Sequence, residues 1–200
     1  MSAEPQILPS EKPEGTAVVA RPSQVRAPFG IVPTLGGWVR DLVISLLVAA
    51  FIIIFLYQPV KVEGTSMLPG LADQERIFIN KFVYRLEPIS RGDIVVFRYP
   101  RDPSKSYIKR VIAVGGDRVR IDQGRVYVNG RRLYEPYIPM EYVDPRSYPD
   151  TVVPEGAYFV LGDHRSSSSD SRDFGPVDAD NIYGKAVFVY WPVDKLGLLR

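Results

Sequence analysis

Ser66, in the segment Gly64-Thr65-Ser66-Met67-Leu68-Pro69, is the candidate nucleophile around which the rest of the chain can be read. There is no cysteine and only one histidine. That excludes thiol catalysis, disulfides, thiolate metal sites and a histidine-rich zinc centre together. The aspartates between 163 and 180 have no calcium-loop spacing, so neither a metal nor a cofactor is expected. What remains is an alcohol activated by an amine. A serine hydroxyl needs a base to take its proton as it attacks a carbonyl. A lysine serves only when neutral, so its pKa near ~10.4 must fall, and burial in apolar surroundings does that. Arginine does not lose its proton in proteins and cannot substitute.

Seven lysines compete for the role. Lys12 lies in a proline-rich tail, Lys61 beside an apolar run, Lys105 in a Pro/Ser-rich loop and Lys195 behind a proline. Lys81, Lys109 and Lys185 sit inside apolar, strand-like segments. Period two places Lys109 on one face with Tyr107, Val111 and Ala113, and Arg110 on the other with Ile108 and Ile112. The ordinary alternative is that such lysines carry their ammonium out to water along an apolar stem. The residues alone do not separate Lys109 from Lys185.

Several elements must position this chemistry. Two hundred residues, 46% hydrophobic and 24% charged, suit one globular domain with a small insertion. A net charge of +2 and no run of five like charges give no reason to expect nucleic acid. Arg120, Arg125, Arg131 and Arg132 read as strand and turn surface. Residues 1–37 contain six prolines and read as a disordered tail. The apolar run Leu42–Tyr57, extended to a transmembrane helix over 38–59, has Trp38 and Tyr57 where interfacial aromatics belong. A cleaved leader would need a short positive start and a small-residue site after the run, a core helix a polar stripe, and an interfacial helix a charged face. None is present. Ser66 comes nine residues after Tyr57, a reach of at most ~30 Å, so the hydroxyl is held near the membrane surface. Arginine and lysine flank the run evenly, so charge does not orient it.

From Val60 onward the pattern is short strands. The expected ones are 76–83, 93–99, 107–114, 118–121, 125–128, 131–133, 157–161 and 184–191, with a tight turn at Asn129-Gly130. Residues 135–156, with five prolines, read as a long surface excursion. The fold expected for 60–200 is mainly β, an antiparallel β-barrel or coiled-sheet domain with a smaller β insertion over 118–156.

Four segments in order carry a resemblance: 64–71 (GTSMLPGL), 91–97 (RGDIVVF), 107–117 (YIKRVIAVGGD) and 162–175 (GDHRSSSSDSRDFG). Together, after a single anchor, they resemble the bacterial type I signal peptidases, membrane-bound Ser–Lys proteases. The resemblance implies an endopeptidase that removes signal peptides from exported preproteins, cutting after small residues at positions −1 and −3. It implies Ser66 as nucleophile, Lys109 as general base and Ser168 as the hydroxyl orienting the amine. Asp170, Arg172 and Arg110 match a salt-bridged group behind the dyad. Val60, Val62, Tyr107 and Ile108 match the substrate cleft, and Met67 and Leu71 the lining of its small pockets. It also implies a single-pass protein of the bacterial cytoplasmic membrane, tail inside and catalytic domain outside. Its partners would be signal peptides, the lipid bilayer and the export machinery, and its chemistry would use no cofactor.

Some positions depart from that pattern. Gly64 stands where many members have a Ser or Thr whose hydroxyl helps hold the oxyanion. Gly70 replaces a Thr, Phe174 a Trp, and Val114-Gly115 a Leu-Pro. His164 stands where an Asn is usual, which invites a Ser-His-Asp triad with Asp163 or Asp170; its plainer reading is a loop residue making one hydrogen bond. The alternatives outside this family are a soluble self-cleaving repressor, which the anchor opposes, and a tethered binding module that keeps the cleft without catalysis.

Overall fold

The computed structural model describes residues 35–199, with only the backbone described at 35 and 53–55. The chain divides into two units, Met1–Asp41 and Leu42–Arg200. The tail expected over 1–37 lies outside the described residues as far as residue 34. Helix α1 runs Leu35–Leu56, not 38–59. It stops where it does because Pro59 has no N–H and disfavours helical geometry in the residue before it. The next five residues join a sheet instead. Among the described residues no helix is long and apolar enough to cross a membrane; the described side chains of α1 extend only over 36–52.

The strands are β1 (Tyr57–Lys61), β2 (Arg76–Asn80), β3 (Ile94–Tyr99), β4 (Asp102–Val114), β5 (Arg118–Asp122), β6 (Arg125–Val128), β7 (Arg131–Arg132), β8 (Tyr148–Val152), β9 (Ala157–Leu161), β10 (Val177–Asp178), β11 (Ile182–Trp191) and β12 (Gly197–Leu198). Two one-turn helices, α2 (Val83–Leu86) and α3 (Ser171–Phe174), complete the set. One sheet has the order β1-β2-β11-β3-β4-β9-β10, with β12 on β11, and the other has the order β7-β6-β5-β8. The pairings are antiparallel, so the fold is mainly β as expected.

The expected barrel is not closed. β1 and β10 are the two edges of the larger sheet among the described residues. β10 is only two residues long before the chain turns through Ala179–Asn181, so it offers no ladder on which to close. The excursion expected over 135–156 contains β8, which periodicity concealed because it carries Pro149. The proline is tolerated because β8 is the edge of its sheet.

β3 shows why the larger sheet is stable. All four residues from Ile94 to Phe97 are buried. Ile94 and Val96 pack with Val62, Met67, Leu71, Ile77 and Ile79 on one face. Val95 and Phe97 pack with Val111, Val160 and Val177 on the other. A third cluster joins the two sheets, with Ile112 and Phe159 from the larger and Val119, Ile121 and Val126 from the smaller. The smaller sheet turns at Asn129-Gly130, where both residues have positive φ, as a two-residue hairpin requires.

Candidate active site

Ser66 lies in the loop between β1 and β2. Met67 and Leu71, 1% and 0% exposed, drive into the core beneath that loop. The backbone closes two turns over them, Leu68 N–H to Thr65 O at 3.1 Å and Leu71 N–H to Met67 O at 2.9 Å. With those side chains buried, Ser66 is left facing a cleft of about 430 Å³. Met67 and Leu71, expected to line the substrate pockets, are not among the residues that line this cleft; they anchor the Ser66 loop in the core. Val60, Val62, Tyr107 and Ile108 do line the cleft, and so do Ile77, Val96 and Tyr183, which had not been expected there.

Lys109 comes from β4, where it pairs across from Val95. It is only 4% exposed. Its Nζ donates to Ser66 Oγ at 2.8 Å and to the Ile108 carbonyl at 3.0 Å. Burial pulls its pKa down to about 8, while the carboxylates of Asp170 and Asp163 work in the opposite direction. At pH 7 that leaves roughly a tenth of the amine neutral, against less than about a thousandth for an ordinary lysine. The rival lysines are placed differently. Lys185 forms a 2.6 Å ion pair with Asp93, and Lys81 is exposed.

Behind the Ser66–Lys109 contact runs the segment from Gly162 to Phe174. Asp170 is fully buried and caps α3, accepting from Arg172 N–H at 3.2 Å. Arg172 grips it through Nε and Nη2, both at 2.8 Å. Arg110, by contrast, holds Asp163, with Nε and Nη2 at 2.9 and 2.7 Å from its two oxygens. The expected single group is thus two pairs, and Asp163 is the carboxylate that sequence reasoning missed. A signal was available: an arginine expected on an inward face demands a buried acid, and Asp163 follows directly on Gly162.

Ser168 does not hold the lysine. Its Oγ has no hydrogen-bond partner among the described residues. It instead lies against Gly162, where any Cβ would collide with Ser168 Oγ and with the Ser66 carbonyl. His164 does not make a triad either. Its Nδ1 lies 3.2 Å from Thr65 O and its ring sits on Tyr142, while its N–H donates to Ser66 O at 3.0 Å. Gly64 takes φ +93°, and its N–H donates to Asp73 Oδ1 at 2.8 Å.

The cleft has strand edges on both sides. β1 is an outer edge of its sheet. On β4, pairing with β9 begins only at Arg110, leaving 106–108 with β3 as their partner strand among the described residues. An extended peptide fits such a slot by adding its backbone to a free edge. No group of acidic or histidine side chains suited to a metal occurs among the described residues.

A family model described as "Signal peptidase, peptidase S26" matches residues 35–191. Signal peptidase I of Bacillus licheniformis is 36% identical over 168 residues, covering 80% of this chain and 90% of that one. Signal peptidase I T of Bacillus subtilis (strain 168) is 37% identical over 169 residues, 80% of this chain and 86% of that one. A crystal structure of a signal peptidase I from Enterococcus faecalis V583 is 32% identical at a TM-score of 0.44, covering 50% of this chain and 97% of that chain.

Proposed function

Since the chain belongs to the signal peptidase family, peptidase S26, and is a peptidase, we propose that it is a membrane-anchored serine endopeptidase removing signal peptides from exported preproteins with a Ser66–Lys109 dyad. The observation that carries this reading is the 2.8 Å contact between the Lys109 amine and the Ser66 hydroxyl at a site dry enough to lower the amine's pKa to about 8.

In this mechanism the preprotein lies extended between β1 and β4, with small side chains at −1 and −3 facing the apolar wall that includes Val60, Val62 and Ile108. Neutral Lys109 takes the proton from Ser66 Oγ as that oxygen bonds to the scissile carbonyl carbon. Lys109 then gives the proton to the departing amine as the peptide bond breaks, leaving an acyl-enzyme ester. Water, deprotonated by the same amine, cleaves the ester and restores Ser66. The developing oxyanion is held by the Ser66 N–H, since Gly64 offers no hydroxyl and its own N–H is engaged by Asp73.

Membrane anchoring is supported by the apolar surface of α1, whose large side chains from Leu42 to Ile52 remain exposed, as in Leu47 at 65% and Ile52 at 40%. The tail would lie inside and the β domain outside, where signal peptides leaving the export machinery arrive. Sharing one membrane confines enzyme and substrate to a surface and raises their effective concentration.

The test is cleavage of a purified preprotein by the full chain in detergent or vesicles, comparing wild type with Ser66→Ala and Lys109→Ala. Both variants are expected to be inactive while remaining folded. Cleavage by either at the wild-type rate would overturn the dyad.

A further inference from the structure

Four side chains from a ten-residue stretch of the excursion reach back onto the segment behind the dyad. Glu135 takes both terminal nitrogens of Arg165, Nη1 at 3.0 Å and Nη2 closer still, in a pair whose side chains are 11% and 5% exposed. Tyr137 lies under the Arg110 guanidinium, 4.4 Å from ring centroid to carbon. Tyr142 packs on His164 at 4.2 Å. Asp144 accepts from Arg172 Nη1 at 2.7 Å, with both side chains more than nine-tenths buried.

The two ion pairs converge on one residue. Arg165 Nε donates to the Gly162 carbonyl at 3.0 Å. Asp170, held by Arg172, accepts from the Gly162 N–H at 3.1 Å. Gly162 in turn packs against the Ser66 carbonyl and Ser168 with no room for a Cβ, and His164 donates its N–H to that same Ser66 carbonyl. The Gly162 carbonyl is therefore fixed by an arginine that the excursion grips directly, and its N–H by an aspartate that the excursion reaches through Arg172. Buried charge is costly unless it is paired and fully hydrogen-bonded, and this pattern satisfies that demand.

We propose that Glu135 and Asp144 are positioning residues: acting through Arg165 and Arg172, they hold Gly162 against the Ser66 backbone and so set the spacing and dryness of the Ser66–Lys109 pair. This rests on the dyad reading above. Loosening either grip lets residues 162–170 move off the dyad, admits water to the amine and lengthens its path to the hydroxyl. The amine then drifts back toward its ordinary pKa.

The experiment compares Glu135→Gln and Asp144→Asn with wild type in preprotein cleavage across pH 6–10, alongside the fraction of folded protein. The expected result is a kcat lowered about tenfold or more with KM within about twofold, since displacement of reacting groups by an ångström is that costly. The acid limb of the profile moves up by about half a unit or more as burial of the amine is relieved. Loss of activity matched by loss of folded protein, with the limb unmoved, would assign both residues a purely structural part and overturn the proposal. So would full activity with the limb unmoved. If Glu135→Gln does not fold, Glu135→Asp, which keeps the charge and shortens its reach by one methylene, is read for the same limb shift. Ser66→Ala and Lys109→Ala run in parallel: their activity sinks the dyad itself, whereas dead dyad variants beside unaltered clasp variants sink only the clasp.

Discussion

Lys109→Met should make the protein inactive and, near neutral pH, more stable. The lysine's pKa falls from 10.5 to about 8 on folding because its site is buried. Between those two values the unfolded chain binds more protons than the folded one, so stability rises with pH across that window. Below pH 8 the folded state carries the full cost of a dry ammonium, and above 10.5 the cost is gone. Integrated, the cost is about 3 kcal/mol at pH 7 and under about 1 kcal/mol at pH 10. Methionine fills nearly the same volume with no charge. It forfeits the bonds to Ser66 Oγ and Ile108 O, an offset of about 1–2 kcal/mol that does not vary with pH. The diagnostic quantity is therefore the pH dependence of the difference between variant and wild type, from denaturant unfolding at pH 7, 8, 9 and 10. Tyrosines and the other lysines titrate alike in both proteins and cancel. The variant's relative stability should fall by about 2–3 kcal/mol from pH 7 to pH 10. A difference that stays flat would mean that Lys109 keeps an ordinary pKa, and the case for it as a base would fail.

The same shift governs rate: kcat/KM should climb with pH and level off above about 8, an acid limb set by Lys109, and a rate already level by pH 6 would contradict this. Leu71→Ala, at a fully buried position, should cost about 2–5 kcal/mol in denaturant unfolding. It should leave the preference at −1 and −3 unaltered, whereas a changed preference in cleavage of preproteins with larger residues there would return Leu71 to the pocket wall. Asp163→Asn removes the carboxylate charge paired with the buried Arg110 guanidinium, 7% exposed, and should lower stability by about 3–5 kcal/mol, measurable as a drop in Tm.

Where the sequence was legible, local rules coincided with the global fold. Ala157–Leu161 and Arg125–Val128 form strands over the bounds that period two and flanking turns imply. β8 escaped notice because an edge strand tolerates the proline that argues against a central one. The burial of Met67 and Leu71 was not legible because a loop has no period, and nothing in Met-Leu-Pro-Gly-Leu says which side chains point down. Lys109 and Lys185 looked alike as lysines in apolar strands. What separates them is a carboxylate far away in sequence, Asp93, which meets Lys185 across a sheet register that residue types alone do not specify.

That last difference is the physical root of the site. A strand lysine ordinarily keeps its charge, either by reaching water or by finding an acid, and Lys185 has found one. Lys109 has neither outlet. β3 and β9 flank its strand, and Asp163 and Asp170, the two carboxylates near enough to raise its pKa, are already bound by Arg110 and Arg172. Those arginines stabilise the acids and, in doing so, weaken the pull of the acids on the amine. Removing Arg110 or Arg172 would thus free a negative charge beside Lys109 and restore its ammonium. The buried pairs behind the dyad matter less for the stability they add than for the cation they deny the lysine.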